Sequence, residues 1–200
     1  MAQREPQVRH RARGTNGWFL AGYAGVAGFF LVEAMARQRG TAASLTASGD
    51  DQGTTRDIVT ASVIAVVAAP LLGRVPVRSL PRAAAPAGLV LQAMGLGLRI
   101  WSMRTLGASY SRTLRTAGEQ GVVTDGPYRL IRHPGYAGSL LIWTGFALTS
   151  GSLPVVVMVS GLLGRAYGRR IVAEETLLQR DLPGYVTYSR RTKRLVPFVW

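Results

Sequence analysis

Five apolar runs alternate with polar, arginine-rich stretches along this chain. The first covers residues 17–36, and its 20 residues match the length that crosses the hydrocarbon core of a bilayer as a helix. The second, 58–73, is short and contains Pro70, although flanking residues can extend it. The third covers 83–101. A fourth, 135–149, and a fifth, 153–164, are separated by Ser150-Gly151-Ser152, with Pro154 following. That spacing predicts a tight turn and a helical hairpin whose two ends return to the same face. The intervening segments are polar. Residues 37–57 are rich in Gly, Ser, Thr and Asp and read as a loop, and 74–82 hold Pro76 and Pro81 and read as a connector. Residues 102–134 are amphipathic to polar. The tail 165–200 contains a helical section near 169–179, broken by Asp181-Leu182-Pro183-Gly184.

The pattern predicts an all-α fold, a polytopic membrane helical bundle with about five transmembrane segments. It divides into a basic, disordered leader (1–16), N-terminal transmembrane helices (17–101) and a polar C-terminal region that includes the hairpin (102–200). Composition agrees with a membrane class: 48% of the 200 residues are hydrophobic and 17% charged, against about 25% charged in soluble proteins. A secretory signal would also place basic residues before an apolar run. Its apolar core is shorter, about 7–15 residues, so a retained helix is expected.

Net charge is +14, from 24 basic and 10 acidic residues. Such an excess suits nucleic acid or an anionic membrane face, and the apolar runs decide for membrane lipids and against nucleic acid. The segments 102–134 and 165–200 carry five and eight basic residues, which puts the C-terminal half on the cytoplasmic side of a cell membrane. Counting back through five spans places the N-terminus outside, yet Arg4, Arg9, Arg11 and Arg13 prefer the inside. One run therefore fails to span, with 58–73 the suspect, and the side of the N-terminus stays open. With no cysteine, and only His10 and His133 as imidazoles, no metal site is expected.

Candidate chemistry concentrates in three segments. The first runs from Gly121 to Gly138, with Gly126-Pro127 fixing a turn and Pro134 suited to the first turn of a helix. His133 then sits at that helix N-terminus, whose free N–H groups and positive dipole favour a carboxylate. An interfacial belt of Tyr and Arg at headgroup level explains the composition equally well. The second is Arg169-Arg170-Ile171-Val172-Ala173-Glu174-Glu175. Arg170 and Glu174 share a helix face at i,i+4, which is also what a surface ion pair looks like, and Glu175 is rotated about 100° away. The third is the basic, aromatic ending from Tyr185 to Trp200, where anionic lipid is the expected partner. Glu33 lies near the end of the first run, either an interface residue or a bundle-facing polar group. Gly164 and Gly168 form a G-x-x-x-G pair read as close packing. Gly95-x-Gly97 lacks a third glycine and a preceding strand and is no dinucleotide fingerprint.

The stretch Gly126-Pro127-Tyr128…Arg132-His133-Pro134-Gly135-Tyr136-Ala137-Gly138 is followed by Arg170…Glu174-Glu175 and then by Tyr185…Tyr188…Arg191-Thr192…Arg194-Leu195…Pro197. Together they resemble the isoprenylcysteine carboxyl methyltransferase family, as do Arg99-x-Trp101 and Thr105-Leu106-Gly107 upstream. The resemblance covers 99–200, half the chain. It implies an all-α membrane methyltransferase with S-adenosylmethionine as cofactor and a lipophilic acceptor drawn from the bilayer. Carried over residue by residue, it implies cofactor contacts at Gly121, Val122, Val123, Tyr128, His133, Pro134, Gly135, Tyr136 and Glu174, with Arg170 meeting the acceptor. Gln120 stands where some members have histidine.

A prenylcysteine carboxylate, another isoprenoid acid, a phospholipid amine and a thiol are all acceptors of related folds. An NADPH-dependent sterol-type membrane reductase has a similar Arg-His…Tyr pattern, against which Pro134 and the Glu174-Glu175 pair speak. A non-enzymatic lipid-binding membrane protein is the reading from a different class.

Overall fold

The computed structural model describes residues 12–38, 52–75, 79–107 and 121–196. Residues 1–11 of the expected leader, most of the 37–57 loop, Arg112, Arg115, Gln120 and Pro197 lie outside the described residues, whereas residues 12–16, expected to be disordered, are the first turn of the first helix. Among those described, six α-helices and one 3₁₀ turn follow in order, with no strand: α1 (Ala12–Gln38), α2 (Thr54–Leu72), α3 (Ala84–Leu106), the 3₁₀ turn (Gly126–Arg129), α4 (Pro134–Thr149), α5 (Leu153–Asp181) and α6 (Tyr185–Arg191).

The hairpin between α4 and α5 forms as its sequence predicts. Gly151 takes φ +66 at the turn, a region L-residues avoid. Two expectations change. The fifth run and the helical section after it are one continuous helix of 29 residues, α5, because nothing between Arg165 and Gly168 stops it. The second run extends to 19 residues by taking in Thr54–Asp57, and Pro70 falls in its last turn. The segments Gly17–Ala36 and Thr54–Leu72 are each long and apolar enough to cross a membrane, so shortness no longer singles out α2. α4, at 16 residues, rises about 24 Å, less than a bilayer core of about 30 Å.

Small residues bring the helices together around a core of large side chains from α4 and α5, while α1, α2 and α3 also turn apolar residues outward. α3 and α4 pack most extensively, because glycines let their backbones touch. A Cβ on Gly95 would lie 2.5 Å from the Gly138 carbonyl oxygen, and one on Gly138 would lie 2.6 Å from that of Gly95. Gly88 and Gly145 repeat the arrangement two turns away. Ala61, Ala65 and Ala69 line the inner face of α2 at every fourth position and join the core of Trp143, Phe146, Val155, Val159 and Leu163. Phe19 and Tyr23 of α1 close on Phe146, with ring centroids 5.6 and 4.9 Å away. Outward, Leu20 and Leu31 of α1, Val63 and Val67 of α2, and Val90 and Met94 of α3 are exposed, an apolar girdle that water would penalise. Gly164 and Gly168 do not mediate the close packing expected of them: a Cβ at either meets nothing within 4 Å.

Candidate active site

The site grows from the turn that precedes α4. Gly126, at φ +55, is pressed so close to the end of α3 that a Cβ there would lie 3.2 Å from Trp101 Nε1 and 2.8 Å from Thr105 Oγ1. The following 3₁₀ turn buries Pro127 and Tyr128. Ile131 then pairs in parallel with Lys193. The backbone N–H of Arg132 donates to the Lys193 carbonyl at 2.7 Å, and that of His133 to the Arg194 carbonyl at 3.0 Å. The Tyr188 hydroxyl donates to the Tyr128 carbonyl at 2.7 Å. These bonds fold the basic ending back onto the entrance of α4.

His133 occupies the N-cap of α4 and Pro134 its first turn, as the sequence predicts, with no side chain capping the helix. Arg99 holds the same turn from α3. Its NH1 donates to the Gly135 carbonyl at 2.9 Å and to Ser139 Oγ at 2.8 Å, and its Nε to Glu33 Oε1 at 2.6 Å. The Phe29 ring faces the guanidinium at 5.2 Å. Glu33 therefore faces the bundle, paired with Arg99, rather than projecting as an interface residue.

Glu175, rotated off the Arg170 face, is only 3% exposed. Oε1 accepts from Arg132 Nε at 2.7 Å and lies 3.2 Å from His133 Nε2, while Oε2 accepts from Arg194 Nε at 2.9 Å. Arg132 NH1 also donates to the carbonyls of Ser189, at 2.8 Å, and Thr192. Burial pushes the Glu175 carboxyl up, but hydrogen bonds from His133 and Arg132 and their charge outweigh it and hold its pKa at about 2. Glu175 is thus an anionic post on which His133, Arg132 and the C-terminal segment are hung.

Glu174 and Arg170 meet through Tyr136. The Tyr136 hydroxyl donates to Glu174 Oε2 at 2.6 Å and receives Arg170 Nε at 3.2 Å. Its ring stacks on His133, 5.7 Å between centroids and 20° between planes. Arg170 NH1 reaches Thr54 Oγ1 at 3.0 Å and Thr55 Oγ1 at 3.5 Å on α2, and the neighbouring Arg169 pairs with Asp57. Thr54 is 2% exposed.

Of the candidate residues, His133, Pro134, Gly135, Tyr136, Glu174 and Arg170 thus come together at the α4–α5 junction opposite the hairpin turn, where the start of α4 meets the C-terminal half of α5, with Tyr128 on the buried turn that leads there. Val122 is half-buried against Leu178, Tyr185, Tyr188 and Leu182; Val123 is half-buried beside it and Gly121 is exposed. Tyr185, buried in that cluster, has a hydroxyl with no hydrogen-bond partner. Burial, then the charges of Glu175 and Glu174, push this phenol well above its usual range, so it stays a neutral donor. Sequence reasoning gave no role to Arg132, Arg194, Thr54, Thr55 or Tyr185. Arg132 was visible only as a member of the Gly121–Gly138 segment and Arg194 of the basic ending, and the threonines carried no signal. No group of three His, Asp or Glu side chains that could hold a metal gathers among the described residues.

Comparison with known proteins places this junction in a family. Residues 84–182, from the start of α3 to the end of α5, match the phospholipid methyltransferase family. That region belongs to this family of methyltransferases. The chain is 30% identical over 115 residues to a probable protein-S-isoprenylcysteine O-methyltransferase of Oryza sativa subsp. indica, covering 56% of this chain and 60% of that protein. It is 33% identical over 116 residues to protein-S-isoprenylcysteine O-methyltransferase A of Arabidopsis thaliana, covering 56% and 58%. A third relative is the cobalt-zinc-cadmium resistance protein CzcN of Cupriavidus metallidurans, 30% identical over 116 residues, covering 56% and 50%. The chain spans 50 to 60% of the length of these three relatives. The matched region thus takes in Arg99, the α4 entrance and the Arg170–Glu175 face. Thr54 and Glu33 reach it from outside the match.

Proposed function

We propose that this protein is an S-adenosylmethionine-dependent methyltransferase that methylates a carboxylate of a lipophilic, isoprenoid-type acceptor at the membrane. The observation that carries the reading is the relay Arg170–Tyr136–Glu174 beside the uncapped start of α4. It sets a cation and a carboxylate on either side of one phenol. The residues suit such a cofactor. Glu174 is placed to pair with an ammonium group, and the first-turn N–H groups of Gly135 and Tyr136, which have no intrahelical acceptor, suit a carboxylate. The unpartnered Tyr185 hydroxyl, near Glu174 in the same region, is a further donor awaiting an acceptor. Gly121, Val122 and Val123 would contribute backbone groups and Tyr128 a wall.

S-adenosylmethionine supplies a methyl group on a sulfonium, which departs as a neutral thioether. The protein therefore needs no strong general base for a carboxylate nucleophile. Arg170 would hold the acceptor carboxylate through two parallel N–H bonds and aim one oxygen. Tyr136, stacked on His133, would fix the separation of the two reactants, so that the rate comes from alignment and exclusion of water. The apolar girdle of α1, α2 and α3 supports multi-pass insertion, with the hairpin α4–α5 adding spans and the basic C-terminal face in the cytoplasm. The family match favours this reading over a sterol-type reductase or a non-enzymatic lipid binder. A phospholipid amine or a thiol is the alternative acceptor, favoured by the family description itself.

Arg170→Lys tests the assignment. It keeps the charge and loses the fork, so turnover should fall roughly 10- to 150-fold, the worth of one charge-assisted hydrogen bond, with S-adenosylmethionine affinity near wild type. Normal turnover in the lysine variant contradicts the acceptor role.

A further inference from the structure

The fold-back of the C-terminal segment creates a second, independent feature: an open pocket of about 290 Å³ whose lining includes Arg132, Arg190, Arg191, Lys193 and Arg194 and no acidic residue. Arg132 and Arg194 spend their Nε groups on Glu175. Arg190, Arg191 and Lys193 are exposed, and among the described residues no carboxylate pairs with them. Three cations held together without a counter-ion repel one another and leave a strong positive potential in the pocket.

The height of this pocket indicates what fills it. Lys193 and Arg194 are pinned by backbone bonds to Arg132 and His133, and His133 is the residue from which the apolar helix α4 starts. The pocket therefore lies level with the beginning of an apolar helix, where phospholipid headgroups meet the hydrocarbon core. A soluble anion meets these cations only at its bulk concentration, whereas a lipid phosphate is concentrated at that height.

We propose that this pocket binds the phosphate of an anionic phospholipid, and that Arg190, Arg191 and Lys193 recognise it. Its recognising cations are none of the proposed methyl-transfer residues; the pocket reaches those through the pairs that Arg132 and Arg194 make with Glu175 and through the backbone bond from His133 to Arg194. Occupation would neutralise the repulsion among the free cations and so brace the segment 190–194 that supports His133.

The test is native mass spectrometry of the detergent-solubilised full chain with added phosphatidylglycerol or phosphatidylcholine, alongside thermal shift with inorganic phosphate. Wild type should retain phosphatidylglycerol and release phosphatidylcholine. Each removed cation should weaken retention about fivefold, so Arg190→Gln/Arg191→Gln/Lys193→Gln together should lose about 100-fold. A charge-preserving Arg190→Lys/Arg191→Lys variant should retain the lipid, which separates loss of charge from loss of fold. Equal retention of the two lipids, retention undiminished in the glutamine variant, or stabilisation by inorganic phosphate matching that by phosphatidylglycerol would overturn the proposal. None of these readouts requires methyl transfer, so they stand whatever the acceptor or cofactor proves to be.

Discussion

Replacing Glu175 with glutamine removes the charge on which the site is hung. The carboxylate is 3% exposed and faces Arg132, His133 and Arg194 at 2.7, 3.2 and 2.9 Å. Taking one partner from such a buried pair leaves Arg132 uncompensated, which costs about 3–5 kcal/mol. The same contacts hold the carboxyl at about 2, against an ordinary 4.5, so the charged form stabilises the fold at neutral pH. The sign follows from the direction: the folded pKa is depressed, so this stability is fully present above 4.5 and is lost as pH falls from 4.5 towards 2. In thermal unfolding of the detergent-solubilised protein, about 3 kcal/mol corresponds to a drop of roughly 6–12 °C for a chain of this size. Glu175→Gln should show that drop at pH 7 and a smaller one near pH 3. Glu174→Gln should instead weaken S-adenosylmethionine binding with little change in melting, because Glu174 is held by the Tyr136 hydroxyl rather than by the Glu175 cations. A Glu175→Gln protein that melts within 2 °C of wild type would refute the reasoning.

The glycine contacts separate two pairs that look alike in sequence. Gly138→Ala puts a Cβ 2.6 Å from a backbone carbonyl and should cost about 1–3 kcal/mol in thermal unfolding, whereas Gly164→Ala, with nothing within 4 Å, should stay within about 0.5 kcal/mol; equal losses would contradict this. Thr54→Val deletes an acceptor for Arg170 NH1 and should lower turnover or acceptor affinity roughly 10-fold or more, leave cofactor affinity unchanged, and be rescued by serine. Steady-state kinetics that show cofactor affinity falling instead would assign Thr54 to packing alone.

The helices were legible because apolar runs and Gly/Pro punctuation are local signals. The N-cap position of His133 and the first-turn place of Pro134 follow from three adjacent residues. The continuity of α5 was not legible, because the change from apolar to polar at Arg165 alters the environment of the helix and not its backbone. The partners of Glu175 were not legible for a related reason. Helical rotation places it away from Arg170, but what it faces includes Arg194, 19 positions later, on a segment that returns beside it through the Ile131–Lys193 pairing. The two readings of Glu33 stayed open for the same reason, since the partner that decides between them, Arg99, is 66 positions away. The contribution of Thr54 to Arg170 lies 116 positions away, and no local pattern marks a threonine at the start of an apolar helix as part of a site. The G-x-x-x-G pair at Gly164 and Gly168 misled because spacing shows which face glycines share, not whether another helix lies against it.

The central claim is that the α4–α5 junction binds S-adenosylmethionine, and calorimetry on the purified, metal-free protein in detergent tests it most directly. The account predicts saturable one-to-one binding of S-adenosylmethionine and of its demethylated product, and stabilisation of about 2.7 kcal/mol at 100-fold the dissociation constant. It also predicts no heat from NADPH. Binding of NADPH with neither methyl donor nor product bound would contradict it.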